Sequence, residues 1–202
     1  MLIKTINDEK VFFTSDTHIG HENILKFCDR PFNSVEEMDD AIINNWNKVV
    51  GPDDYVFHLG DVAFGGTDIW HKFLDNVNGH IFLIYGNHDI KNVRPGYLKR
   101  FEYSSYQMYV RINDTFMYLN HCPLLCYGGM YRNIPQLFGH VHISKYKNTG
   151  KDWDRLSNLS STQYDVGVDL NNFTPISFDK VMERIDFQIN NNKTCEWWIN
   201  HE

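Results

Sequence analysis

Lys10-Val-Phe-Phe-Thr-Ser-Asp-Thr-His18 decides how this chain is read. Residues 10–15 form a short apolar, β-rich run that stops on an aspartate and a histidine two positions apart. Side chains at i and i+2 of an extended strand end point the same way, so Asp16 and His18 can reach one ion. Alone the pair is weak evidence, because an aspartate that merely caps a turn looks the same. The arrangement recurs, however. Asp54–Leu59 runs into Gly60-Asp61, His80–Tyr85 into Gly86-Asn-His-Asp89, Thr115–Asn120 into His121, and Gln136–Phe138 into Gly139-His-Val-His142. Ligands of α/β sheets bind at the carboxyl ends of strands. The pattern therefore predicts five strand ends converging on one edge of the core.

Asp16, His18, Asp61, Asn87, His121, His140 and His142 supply only oxygen and imidazole nitrogen, with no thiolate. That donor set suits borderline or moderately hard divalent ions, Mn²⁺ first, with Fe²⁺, Zn²⁺ or Ni²⁺ as alternatives. One such ion takes roughly four to six ligands, so seven donors imply two ions sharing a ligand.

Between these clusters the chain alternates strands with helices. Ser34 and Glu37 form a capping box. It opens a helix to about Val49 with Met38, Ile42, Trp46 and Val49 on one face. Asp68–Val77 reads as a helix closed by Asn78-Gly79. Tyr106–Ile112 and Thr115–Asn120 flank a hairpin turn at Asn113-Asp114. Tyr164–Val168 reads as a strand, Ser177–Asn190 as a helix, and polar Asn148–Gln163 as a long surface loop. There is no internal repeat and no linker, so a single domain is expected over residues 1–202.

Composition narrows the function classes. The 202 residues are 42% hydrophobic and 15% aromatic, which fits a soluble globular protein with a substantial core. The formal net charge is −7 and no run of Lys/Arg supplies a basic groove, so no long nucleic acid is expected as partner. A phosphate ligand would need local positive charge, which bound metal could provide. Cys28, Cys122, Cys126 and Cys195 lack CxxC spacing, which excludes a zinc knuckle and argues against a disulfide framework. The first residues lack the apolar stretch of a signal peptide, and no apolar run approaches the ~20 residues of a membrane span. A cytoplasmic protein with reduced thiols, acting away from membranes, is expected.

Taken in order, Asp16-x-His18, Gly60-Asp61, Gly86-Asn87-His88-Asp89, His121 and Gly139-His140-x-His142 resemble the signature of calcineurin-like metallophosphoesterases, in a small bacterial or phage-type form. The resemblance implies an α/β fold: a two-sheet β-sandwich flanked by helices in four α/β/β/α layers, with two metals at the strand ends. By the same resemblance Asp16, His18, Asp61 and His142 hold the first ion. Asp61 bridges to the second, which Asn87, His121 and His140 complete. His88 would protonate or stabilise the leaving oxygen rather than bind metal. Two such ions can activate a hydroxide and clamp phosphate oxygens for in-line attack. One position departs from the pattern: many relatives carry a polar residue three positions after the bridging aspartate, to orient the histidine, and here it is Phe64.

The expected activity is hydrolysis of small phosphoesters, such as cyclic nucleotides or other nucleotide phosphodiesters. Two other readings compete with it. A nuclease acting on DNA or RNA ends is disfavoured by the charge, and a metal-free scaffold by the intact donor set. His21 and Arg30 are expected to reach the substrate phosphate alongside Asn87. Their bland alternatives are a loop histidine and a surface salt bridge. His58 reads as a core histidine, His71, His80 and His201 as surface residues, and Cys122 as packing. Tyr127, Tyr131 and Trp153 are loop aromatics that either stack on a base or cover core.

Overall fold

A computed structural model describes residues 3–6, 10–92, 95–144 and 156–201. Two mixed five-stranded sheets face one another. The first runs β10 (Ile176–Ser177), β2 (Val11–Thr14), β3 (Tyr55–His58), β4 (His80–Ile84), β5 (Tyr103–Ser105), all parallel except β10. The second runs β1 (Ile3–Ile6), β6 (Gln107–Ile112), β7 (Thr115–Asn120), β8 (Gln136–Phe138), β9 (Gln163–Asp165). In it only the β6–β7 hairpin is antiparallel. That hairpin turns at Asn113, whose φ of 50° suits asparagine.

Strands β2, β3 and β4 are buried on both faces, as their continuous apolar runs require. Phe13, Phe57, Phe82 and Ile84 point between the sheets against Met108, Val110, Met117, Leu119 and Leu137. The alternate residues Phe12, Val56, Ile81 and Leu83 pack under helices α2 (Val35–Val49) and α3 (Thr67–Leu74), against Met38, Ile42, Trp46, Trp70 and Phe73. Short helices α1 (Glu22–Phe27), α4 (Asp89–Asn92) and α5 (Pro95–Leu98) follow the strand-end loops. Helix α6 (Phe178–Asn191) is capped by Ser177 and packs on β10, β2 and β9, so it touches both sheets. No described helix is long and apolar enough to cross a membrane.

Several local expectations need correction. Ser34 accepts from the Glu37 N–H at 3.2 Å, but Glu37 reaches back to the Asn33 N–H rather than that of Ser34. Val49 is 39% exposed, and its neighbour Val50 is buried in its place. Helix α3 ends at Leu74, three residues early, because Asp75 already takes the capping position, and Gly79 instead turns the chain into β4. The strand near residue 164 is Gln163–Asp165, which takes Gln163 from the expected loop, and residues 157–162 are turns and irregular chain. Residues 145–155, including Trp153, lie outside the described residues.

Candidate metal centre

Strands β2, β3 and β4 in one sheet and β7 and β8 in the other end at the same place. Asp16, His18, Asp61, His140 and His142 all leave their strands with positive φ, between 49° and 73°. Non-glycine residues adopt this left-handed region rarely, and each use here swings a polar side chain toward the centre. Glycine is needed where these turns touch. A β-carbon on Gly86 would lie 2.1 Å from Asp61 Oδ1, and one on Gly139 would lie 2.2 Å from Asp16 Oδ2.

His18 Nε2 sits 3.9 Å from Asp16 Oδ1 and 3.6 Å from Asp61 Oδ2. His121 Nε2 lies 3.5 Å from Asp61 Oδ2 and 3.1 Å from Asn87 Oδ1. His142 Nε2 lies 3.9 Å from Asp16 Oδ1. The His140 ring packs on His121 with centroids 5.0 Å apart, and the His140 backbone N–H donates to Asp16 Oδ2. Two groups of three donors, Asp16–His18–His142 and Asp16–Asp61–His121, each present ligand atoms within 4.8 Å of one another. All seven residues expected as ligands therefore stand together.

The imidazoles are oriented from behind. His121 Nδ1 donates to the Leu59 carbonyl at 2.7 Å, and His142 Nδ1 to Asp169 Oδ2 at 2.8 Å, which aims both Nε2 atoms inward. Such partners fix tautomer and ring direction in metal sites. Burial pushes His18 well below the usual imidazole value, with His142 and Arg30 adding to the effect, so it is held as a neutral donor. Burial also works against charge on His121, yet Asp61 and Asp16 raise it to about 9. Asp61 is itself held low by His121 and by the His88 N–H, against burial. The two carboxylates thus draw positive charge to this point.

The residues fit divalent ions on a direct observation. Asp16 Oδ1 and His18 Nε2 are buried and have no hydrogen-bond partner. Leaving such atoms unsatisfied costs about 1–3 kcal/mol each. Both face the Asp61 carboxylate, where a cation would satisfy them.

His88 stands at the rim, its side chain 38% exposed, with Nε2 3.9 Å from Asp61 Oδ2. Its ring packs edge-on against His18 and Phe64, at 5.4 and 5.3 Å. Phe64 thus meets His88 by ring contact where many relatives use a polar group. His21 Nδ1 lies 3.2 Å from His18 Nδ1, and the ring lines a cavity of about 530 Å³ beside the centre.

Arg30 is not placed to meet a substrate, nor is it at the surface. Its guanidinium is fully buried and bonds both Asp169 oxygens at 2.8 Å and the carbonyls of Asp16 and Thr17. Only a buried carboxylate can hold that charge in the interior, so Arg30 braces the Asp16 turn from behind. Cys122 also differs from expectation: its sulfur lies within 4.8 Å of the His121 and His140 donor atoms. Tyr127 is buried, with its hydroxyl bonded to Ile134 and Thr162, whereas Tyr131 is 82% exposed. His58 is a core histidine whose Nδ1 accepts from Gly60 N, leaving Nε2 to pair with Thr17 Oγ1.

Sequence reasoning missed two carboxylates. Asp89 accepts from the N–H groups of Asp61, Val62 and Gly86, tying two strand-end loops together, and burial pushes it up to about 6 against those donors. Its place directly after His88 was the available signal. Asp169 joins Arg30 to His142; its place directly after the expected strand Tyr164–Val168 was the available signal, but its partners are distant in sequence.

The model for the calcineurin-like phosphoesterase family matches residues 9–192. The chain belongs to that family. Among relatives, an uncharacterized protein of Methanocaldococcus jannaschii is 31% identical over 180 residues, covering 88% of this chain and 92% of its own. The Gene 66 protein of Mycobacterium phage L5 is 40% identical over 81 residues, 39% of each chain. A solved structure of a protein of unknown function from Aquifex aeolicus shares the fold, with a TM-score of 0.65 at 22% identity, covering 87% of this chain and 99% of that one. The calcineurin-like phosphoesterase fold thus accounts for both sheets and for the edge at which they meet. Membership makes the chain a phosphoesterase-type hydrolase whose donor clusters suit the divalent metals of the family.

Proposed function

We propose that this chain is a dinuclear metal-dependent phosphoesterase acting on small phosphoesters, above all nucleotide phosphodiesters. One observation carries the reading: buried, unpartnered donor atoms of Asp16 and His18 face Asp61, at the meeting point of five strand ends. Asp16, His18, Asp61 and His142 would hold one ion, and Asn87, His121 and His140 the other, with Asp61 shared. When bound, such ions supply Lewis acidity to a phosphoryl group and acidify the attacking water. Asp61 balances their charge, and Asp169 and the Leu59 carbonyl keep His142 and His121 aimed. His88, at the exposed rim, holds the proton that the leaving oxygen takes. His21 faces the cavity where the ester lies. The free thiols of Cys28, Cys122, Cys126 and Cys195 fit a reducing compartment, and we assign the cytoplasm.

The deciding experiment pairs elemental analysis with a hydrolysis screen of nucleotide mono-, di- and cyclic phosphoesters in Mn²⁺, Fe²⁺, Zn²⁺ and Ni²⁺. The native chain should carry two ions and turn over diesters. Asp61→Asn should lose turnover and weaken retention of both ions, because a neutral amide cannot balance two dications. Two retained ions with near-native activity in that variant would overturn the bridging assignment.

A further inference from the structure

The cavity beside the metal centre has one wall that the chemistry above does not use. Phe64 is 38% exposed and Phe27 59% exposed, and both line the cavity with His21 and His88. The rings are continuous. Phe64 stacks on His21 with centroids 4.3 Å apart and planes 18° from parallel. Phe27 meets the other end of this pair, edge-on to His21 at 6.2 Å. Phe64 is in turn 5.3 Å from His88. Single exposed apolar side chains need no explanation, whereas a contiguous set at the mouth of a site does.

Charge makes the wall more telling. Among the described residues, the lining of the cavity includes no lysine or arginine. Arg30, the nearest buried cation, spends its donors on Asp169 and on two carbonyls. Beyond the phosphate itself, the described lining offers a ligand ring faces and aliphatic side chains such as Ile24, Val141 and Leu156. Ring faces recognise flat π-systems, and every nucleobase presents one. The wall runs from His88 beside the centre through Phe64 and His21 to Phe27, so a ligand with its phosphate at the centre can extend a ring over the phenylalanines.

We infer that Phe64 and Phe27, backed by His21, form a stacking subsite for the nucleobase of a nucleoside phosphoester. The inference rests on the proposed function and names its substrate class. It also gives Phe64 a role: the position gives up a polar partner for His88 and gains a face for the base.

The test is equilibrium binding to the Mn²⁺-loaded protein, by calorimetry, of adenosine monophosphate, phenyl phosphate and ribose 5-phosphate. Hydrolysis of bis(4-nitrophenyl) phosphate is measured in parallel. Adenosine monophosphate should bind about tenfold tighter than ribose 5-phosphate, the effect of one base–aromatic stack. Phe64→Ala and Phe27→Ala should each erode that preference while leaving ribose 5-phosphate affinity unchanged, and Phe64→Tyr should restore it. Phenyl phosphate no tighter than ribose 5-phosphate would place the ring a sugar away from the phosphate, as inferred. Phenyl phosphate matching the nucleotide would overturn the nucleobase assignment in favour of a ring next to the phosphate. Equal binding of nucleotide and sugar phosphate, or a preference that survives both alanine variants, would overturn the subsite while hydrolysis of the diester left the parent reading standing. Absence of hydrolysis in every metal would overturn the parent reading, and the subsite with it.

Discussion

Five side chains of the centre, those of Asp16, His18, Asp61, His140 and His142, stand on backbone with φ between 49° and 73°. For a residue with a β-carbon this region costs about 1–2 kcal/mol, so the site carries strain that the rest of the fold offsets. His140 tests the point, because it is exposed and both variants below remove its ring contact with His121 alike. In metal-free protein, His140→Gly should be more stable than His140→Ala by about 1 kcal/mol, or ~2–4 °C in the unfolding midpoint at this size. Equal midpoints for the two variants would show that no strain is stored there. His88 makes a second test. His88→Ala should keep its metal and lose ~10²–10⁴-fold in kcat on alkyl esters. The loss should be smaller with nitrophenolate, which leaves without a proton. The same loss on both esters would replace the acid role with one in positioning phosphate.

Strand ends and the loops after them do the assembling, and three buried carboxylates fasten them: Asp89 joins the loops after β3 and β4, Asp169 joins Arg30 to His142, and Asp165 accepts from Gly167 and Ile143. Asp169→Asn would leave the Arg30 guanidinium buried without its counter-ion, at a cost of about 3–5 kcal/mol. Because His142 loses its orienting acceptor, metal affinity should also fall roughly 10–100-fold. The pH sign follows from the shift. Burial opposes charge on Asp169, but Arg30 and His142 hold its carboxyl well below the ordinary value. Its stabilisation is therefore complete above the unfolded value of about 3.9 and is lost as pH falls below it. Denaturant unfolding from pH 6 to pH 2 should show an acid loss in the native chain that Asp169→Asn lacks, and parallel curves would refute the coupling. The contrast between Asp89 and Asp169 also explains what was legible in sequence. Ligands that end apolar runs announce themselves, since β periodicity and polar turns are local patterns. Asp169 acts across 139 positions on Arg30, and no local pattern encodes such a pairing. For the same reason Arg30 read as a phosphate ligand: its motif shows a cation in a loop, but not the carboxylate that sequesters it. Strand β1 escaped notice because it has meaning only beside β6.

At the scale of the molecule, an acidic chain surrounds a small centre made for anions. The net charge is −7, and among the described residues no lysine or arginine lines the cavity to grip the phosphates that flank a scissile bond in a polymer. The described walls of the cavity come from short segments, residues 21–28 on one side and 140–144 on the other. Small nucleotide diesters should therefore show kcat/KM well above that for single-stranded DNA or RNA when compared at one low salt concentration. Efficient cleavage of oligonucleotides that falls steeply with added salt would reveal a basic groove instead. The meeting of the two sheets at one edge has a further consequence. Asp16 ends a strand of one sheet and His142, assigned to the same ion, follows a strand of the other, far along the chain. An ion gripped by both sheets would close that long loop as a covalent cross-link does, and most of the benefit of such closure lies in restricting the unfolded chain. The same ion would favour the folded state by mass action. Loss of metal would then unclasp the sandwich as well as silence it, and the cell's supply of divalent ions would set the lifetime of the protein as well as its turnover.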